Sequence, residues 1–232
     1  MAVTPQNEDA FLREVDEELR RDQMGKLWRR YGTIGIVMLV LGLAALAGFL
    51  WWQADQHKKA GLDGETLTQA IADLGEGKEA GVQAKLDTLA ASPREGYRAA
   101  AKLTKGAMQA GKGDTNGAVA QYKLVADDPD LPRPFRDFAT VRRTALEFDR
   151  LPAAEIVARL KPLAVAGNPW FGSAGEMVAA AYLKMNKPEL AGPLFAAIAK
   201  DEQVPETIRG RATRIAGALG ADAIAQPATT KE

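Results

Sequence analysis

The chain has 232 residues, of which 47% are hydrophobic and 26% charged, a composition that fits one folded domain once a membrane segment is set aside. Its 30 basic side chains balance 30 acidic ones, so no net field draws it to nucleic acid. Cysteine is absent, which excludes disulfides, thiolate nucleophiles and iron–sulfur ligation, and the single histidine, His57, has no second titratable group pinned beside it.

Residues 1–31 are predicted to form a cytoplasmic amphipathic segment. Within residues 8–30, apolar side chains such as Phe11, Val15 and Leu19 follow one another at helical spacing. A helix with this stripe would lie on the membrane or meet a cytoplasmic partner. A solvated segment with some helicity fits the same pattern equally well.

An uncharged apolar run of 21 residues occupies residues 32–52. At 1.5 Å per residue a helix of this length spans roughly 31 Å, which matches the hydrocarbon core of a bilayer. Trp28 before the run and Trp52 at its end are the aromatic rings expected at the two membrane boundaries. A cleaved signal peptide would have a shorter apolar stretch and a shorter leader. The run is therefore predicted to be a retained transmembrane helix.

Basic residues flank this run unevenly, and Lys and Arg are enriched on the cytoplasmic side of membrane spans. The asymmetry predicts that the amino terminus is cytoplasmic and that the remainder of the chain lies across the membrane. The residues before the run are Arg20, Arg21, Lys26, Arg29 and Arg30, against Lys58 and Lys59 after it.

Two small residues inside the run, Ala44 and Gly48, are separated by three others. This spacing lets a second transmembrane helix approach closely, and it predicts a helix–helix contact at these two residues. Small residues are also common in membrane spans generally, which is the simpler interpretation of the pair.

Residues 53–219 are predicted to be an all-α repeat domain. Their apolar residues recur at helical spacing, and no segment shows the alternation of a strand. Turn sequences fall at residues 111–114, 127–130 and 186–188, and Asn186 with Glu189 forms a capping-box pattern. The predicted apolar stripes are Leu67, Ile71 and Leu74, then Val82, Leu86 and Leu89, and finally Ile208, Ala212, Ile215 and Leu219.

Small residues recur with a period of roughly 36 to 37 residues, near Ala80 or Gly81 and then at Ala118, Ala154 and Ala191. We interpret them as the openings of the second helices in about four helix pairs, followed by a C-terminal capping helix. The unit around Ala154 is degenerate. The predicted packing positions are Gly106, Ala118, Tyr122, Ala154, Ala179, Tyr182, Ala191 and Phe195.

The period and these small and aromatic positions resemble the tetratricopeptide repeat, which implies a single transmembrane helix followed by a tetratricopeptide-like α-solenoid. The order EVDEELRRDQ, LWRRYG, one span ending in WW and then loose helix pairs resembles the YfgM-type ancillary subunits of the Sec translocon over most of the chain. That resemblance implies an inner-membrane protein with a periplasmic repeat domain. It would sit beside SecYEG and work with periplasmic chaperones on secreted clients. The family offers no chemical motif from which binding residues can be transferred.

Two motifs that suggest small-ligand chemistry have simpler explanations. The sequence Gly106-x4-Gly111-Lys112 resembles a phosphate-binding loop, but Gly113 stands where Ser or Thr is required and a helix precedes it. The acidic residues at positions 127–130 are interrupted by proline and lack the glutamate of a calcium loop. No metal, cofactor, small-molecule substrate or catalytic residue is therefore predicted.

The end of the chain divides into a basic helix and a polar tail. Arg209, Arg211 and Arg214 are predicted to solvate the outer face of the last repeat. Residues 220–232 are mostly small or polar and are predicted to be disordered.

These features predict a membrane-anchored module that binds proteins, with the translocon role as its first instance. A scaffold for envelope assembly or cell division is the alternative within this class. An enzyme would need a nucleophile–base pair or clustered carboxylates, and the sequence supplies neither.

Overall fold

A computed structural model describes the backbone of residues 6–221 and the side chains of residues 28–221. Within these residues the regular structure is entirely α-helical, which confirms the predicted all-α class. The helices are α1 (Gln6–Gly75), α2 (Val82–Ala90), α3 (Glu95–Gly111), α4 (Thr115–Ala126), α5 (Arg133–Glu147), α6 (Ala153–Leu160), α7 (Phe171–Lys184), α8 (Pro188–Lys200) and α9 (Glu206–Ala218).

The chain divides into two compact units, Met1–Gly61 and Leu62–Glu232. The first unit holds the apolar part of α1, and among the described residues this is the one helix long and apolar enough to cross a membrane. Its large apolar side chains between Ile34 and Trp52 are all more than half exposed. The amphipathic stripe predicted before it lies outside the described side chains.

The two small residues of the apolar stretch, Ala44 and Gly48, are exposed. A Cβ added at Gly48 would meet no atom within 4 Å. The close approach of a second membrane helix at these residues stays a prediction.

In the second unit, α2 to α9 pack in chain order, each against the next. Helices α3, α5, α7 and α9 also contact one another in sequence, whereas α4, α6 and α8, all within the described residues, make no mutual contacts. We call α1, α3, α5, α7 and α9 the first helices, and α2, α4, α6 and α8 the second helices. Because neighbouring first helices are closer than neighbouring second helices, this stack bends toward the first helices.

Each helix pair repeats the same three buried positions. When the position on the first helix is numbered i, the two positions on the second helix are i+12 and i+16, and all three are buried. Successive first-helix positions are roughly 36 residues apart, as expected for a helix-pair repeat. The sets are Ala70, Val82 and Leu86; Gly106, Ala118 and Tyr122; Thr144, Ile156 and Leu160; and Ala179, Ala191 and Phe195, with Ala216 as the first-helix position of α9.

The third set corrects the predicted packing position at Ala154, which is exposed. Ile156, two residues further along the same helix, is fully buried together with Leu160. On the first helix of this pair Thr144 takes the place that Ala or Gly has in the others, and its hydroxyl donates to the Thr140 carbonyl at 2.7 Å. That bond satisfies the buried hydroxyl. None of these three buried positions is Gly or Ala, so small residues alone do not indicate where this pair packs.

The core of the repeat domain is a chain of four clusters rather than one centre. Each cluster combines side chains from three successive helices, beginning with Ala70 of α1 and ending with Ala216 of α9. Tyr182 and Leu194 pack against both of the last two clusters and so join them. Each repeat is therefore stabilised by its immediate neighbours.

Asn186 corrects the capping box predicted for α8. It has a φ of 55° and ends α7, because the Lys187 amide donates to the Tyr182 carbonyl at 2.9 Å. Helix α8 begins at Pro188, whose missing N–H matches a position where no intrahelical partner exists.

The last helix ends in the same way. Gly220 has a φ of 69°, and the Ala221 amide donates to the Ala216 carbonyl at 2.8 Å. These two residues of the predicted tail 220–232 thus terminate α9, and residues 222–232 lie outside the described part of the chain.

The corrected register predicts opposite results at two neighbouring positions. Ile156→Ala should lower the free energy of unfolding by about 2–5 kcal/mol, because it leaves a cavity in a packed cluster. Ala154→Ser, at an exposed site, should change it by less than about 0.5 kcal/mol. Urea unfolding of the full chain in detergent, followed by far-ultraviolet circular dichroism, measures both values. Similar losses for the two variants would contradict this register.

Candidate protein-binding surface

The first helices share one open surface, which we call the first-helix face. Its residues are defined relative to the buried position i of each first helix. They are the residues at i−6, i−2, i+1 and i+5. At about 100° per residue the positions inside the helices fall within about 60° of one another, on the side away from the second helix. Ala221 lies past Gly220, where α9 has ended, and a Cβ at Gly192 of α8 would lie 3.0 Å from the Ala221 Cβ. The face comprises Gly64, Thr68, Ile71 and Gly75 at α1; Ala100, Thr104, Ala107 and Gly111 at α3; Phe138, Arg142, Ala145 and Asp149 at α5; Ser173, Met177, Ala180 and Lys184 at α7; and Gly210, Arg214, Gly217 and Ala221 at α9.

All of these residues are half-buried or exposed, and half of them are glycine or alanine. Small side chains leave the helix backbones accessible, so a bound chain can approach closely. Ile71 belongs to this face with 53% of its surface exposed, and Ala70 beside it is fully buried. This corrects the apolar stripe predicted for α1, in which Ile71 was expected to point inward.

Charge is distributed unevenly over the first-helix face. The positions at α1 and α3 carry no charged side chain, and those at α5 to α9 carry Arg142, Asp149, Lys184 and Arg214. The Lys184 ammonium lies 3.1 Å from an Asp149 carboxylate oxygen and 4.1 Å from the centre of the Phe148 ring. Asp149 and Lys184 therefore neutralise each other.

The two lysines of α3 are outside the face positions, and each lies close to a carboxylate of a neighbouring helix or turn. Lys105 donates to Asp87 of α2 at 2.6 Å, and this hydrogen bond lowers the pKa of the Asp87 carboxyl from its ordinary value. Lys102 lies 3.6 Å from Asp128 in the turn before α5. The face of α3 is left uncharged as a result.

The arginines of α9 do not have the common role predicted for them. Arg211 reaches back to α7 and donates two hydrogen bonds to the Glu176 carboxylate, at 2.7 and 2.8 Å. The hydrogen bond to Glu176 raises the pKa of the Arg211 guanidinium. Arg214 lies on the first-helix face. This corrects the prediction that all three arginines solvate the outer side of the last repeat.

Most of the packing residues predicted from the sequence are buried, namely Gly106, Ala118, Tyr122, Ala179, Ala191 and Phe195. A Cβ at Gly106 would lie 3.0 Å from the Tyr122 ring, which explains the glycine at that position. Tyr182 is half-buried between two clusters. The residues missing from the prediction are Ala70, Thr144, Ile156 and Leu160. A pattern of apolar residues at i+12 and i+16 identifies Ile156 and Leu160.

The two motifs that suggested small ligands are engaged in other contacts. Lys112 of the phosphate-loop-like sequence pairs with Glu79 at 2.6 Å. In the acidic turn, Asp128 accepts a hydrogen bond from the Asp130 amide at 3.1 Å. Among the side chains from 28 to 221, no group of three or more metal-ligating residues is close enough to hold an ion.

These packing rules and this open face define a helix-pair repeat protein. Residues 26–209 match the tetratricopeptide repeat-like domain, and the chain belongs to that family. No curated protein matches the chain, and no solved structure does. Repeat domains of this kind are typically non-catalytic, and their stacked helices provide extended surfaces for binding other proteins.

The pair between Arg211 and Glu176 predicts how firmly the last helix is held. Arg211→Lys loses the two-pronged hydrogen bond, so local opening of α9 should become easier by roughly 0.2–1 kcal/mol, since the pair is partly exposed. Hydrogen exchange of the α9 amides measures this opening. Arg214→Gln, which removes a side chain with no partner among the described residues, should leave α9 unchanged. Equal effects of the two variants would argue against the pair.

Proposed function

We propose that this chain is a membrane-anchored module that binds polypeptide segments on its first-helix face, on the periplasmic side of the inner membrane. The observation that carries the proposal is the open face itself, which extends over five first helices and is half glycine or alanine. A surface of this kind fits a polypeptide better than a small molecule, because it is long and extends across several helices.

The apolar stretch of α1 supports the anchoring. Its side chains from Ile34 to Trp52 are uncovered by protein, and an exposed apolar surface of this extent favours a bilayer as its surroundings. The excess of basic residues before the stretch supports a cytoplasmic amino terminus. Such an anchor raises the effective concentration of the repeat domain near other membrane proteins.

Within this function we propose the role of an ancillary Sec translocon subunit that links secreted clients to periplasmic chaperones. Support comes from the resemblance in the amino-terminal segment, from Glu14 to Gly32, and from the order of segments along the chain. The partners expected are SecYEG, periplasmic chaperones and emerging polypeptides. A scaffold for envelope assembly or cell division would use the same anchor and the same face.

Cross-linking and proteolysis test the placement and the partner together. A photoreactive residue at Gly48 should yield products with SecY if the translocon role is correct, and products with division or cell-wall proteins if the scaffold role is. Protease added to spheroplasts should digest the chain beyond Trp52, because the repeat domain is expected outside the membrane. Survival of that domain while other periplasmic domains are digested would refute the placement.

Binding on the first-helix face predicts a steric effect. Ala145→Trp places a large side chain in the middle of the face and should reduce the yield of co-purified partner proteins by about tenfold, a typical loss at an interface centre. Ala197→Trp is the matched control, since Ala197 is exposed on the second helix α8. Thermal unfolding should be similar for both variants. Equal yields from both variants would exclude this face as the binding surface.

A further inference from the structure

The structure points to a preference for acidic polypeptide segments, in which Arg142 and Arg214 each bind one carboxylate of the partner. This inference rests on the proposed binding of polypeptides to the first-helix face and adds the chemistry of the ligand. It is carried by the position, exposure and pairing of these two arginines.

Arg142 and Arg214 occupy the same place in two repeats. Each stands two residues before the buried first-helix position, which is Thr144 in α5 and Ala216 in α9. Both are exposed, and neither makes a hydrogen bond or ion pair with any residue in the described part of the chain. Because the two positions are equivalent, both guanidinium groups lie on the first-helix face.

Two arginines near them along the helices are paired with carboxylates. Arg143, next to Arg142, lies 3.2 Å from Glu147 and 3.8 Å from Asp127. On α9, Arg211 holds Glu176 through two hydrogen bonds. The nearby carboxylates are thus engaged elsewhere and do not neutralise Arg142 or Arg214.

The charge left on the face selects the partner. Asp149 and Lys184 cancel each other, so the half of the face from α5 to α9 keeps the two positive charges of Arg142 and Arg214. A guanidinium group binds a carboxylate through two parallel hydrogen bonds, a geometry that an uncharged amide cannot match in strength. A basic segment would be repelled. The face positions at α1 and α3 are uncharged, so the adjoining part of the bound polypeptide is expected to be uncharged.

The spacing of the arginines defines the spacing of the carboxylates. Helices α5, α7 and α9 contact in sequence, and packed helices lie about 8–10 Å apart, so Arg142 and Arg214 are about 16–20 Å apart. An extended chain covers this distance in about six residues, at about 3.3 Å per residue. Met177 occupies the equivalent position on α7 between them, where it offers a partly exposed apolar contact.

The test uses the full chain in detergent micelles and fluorescent synthetic peptides. The probe peptide has two glutamates about six residues apart, a leucine between them and uncharged residues elsewhere. In the matched peptide both glutamates are glutamine. At low salt the wild type should bind the glutamate peptide about tenfold more tightly, and the difference should shrink as salt screens the charges.

Substitutions then assign the preference to the two arginines. Arg142→Gln and Arg214→Gln should each weaken binding of the glutamate peptide by roughly three- to tenfold, and the double variant should bind both peptides alike. Lys123→Gln, which removes an exposed positive charge from the second helix α4, should leave the preference unchanged. Thermal unfolding of all four variants should match the wild type.

Three results would overturn the inference. Equal affinity of the wild type for the two peptides would remove the acidic preference while the partner yields of Ala145→Trp and Ala197→Trp still test the proposed function. Loss of the preference in Lys123→Gln would show that only net charge matters. Arginine-dependent binding to phosphatidylglycerol vesicles, without binding of the glutamate peptide, would assign the two arginines to a lipid surface.

Discussion

The arrangement of this repeat domain depends on one packing contact that recurs in every helix pair. In each helix pair a residue i on the first helix meets residues i+12 and i+16 on the second, and all three are buried. The contact brings the two helices together and sets which side of each faces its partner. Because the same contact recurs once in every repeat, it also gives the stack its order. The open face, the ion pairs between helices and the positions of the free arginines all follow from this register.

The register also explains why the first helices can present a binding surface. Their packing sides are occupied by the second helix and by the neighbouring pairs, which leaves one side of every first helix half-buried or exposed. Ion pairs between helices draw several charged groups away from that side, as Lys105 does with Asp87. What is left on the surface is a largely small strip with two unneutralised guanidinium groups, one on the middle helix α5 and one on the last helix α9.

Residue patterns alone were sufficient for the class of fold. Helical spacing and a period of roughly 36 residues predicted an all-α repeat domain, and Gly106 with Tyr122 and Ala191 with Phe195 were recognised because small and aromatic residues mark close helix contacts. The third pair escaped because Thr144 and Ile156 are β-branched and carry no small-residue signal. Ile71 was wrongly expected in the core because helical spacing allows either Ala70 or Ile71 to point inward. Only the position of α2 decides which of the two is buried. The pairing of Arg211 with Glu176 depends on how α7 and α9 stack, which no local pattern reports.

The division of the core into four clusters has a consequence for how such proteins change over evolutionary time. No side chain in one cluster needs a partner from the far end of the stack, so duplication or loss of a whole helix pair disturbs only the contacts at the junction where it occurs. The number of helix pairs can therefore change, whereas the spacing of the buried positions inside a pair cannot. A lineage could lengthen or shorten the first-helix face in steps of one pair, and the apolar stretch of α1 would be unaffected.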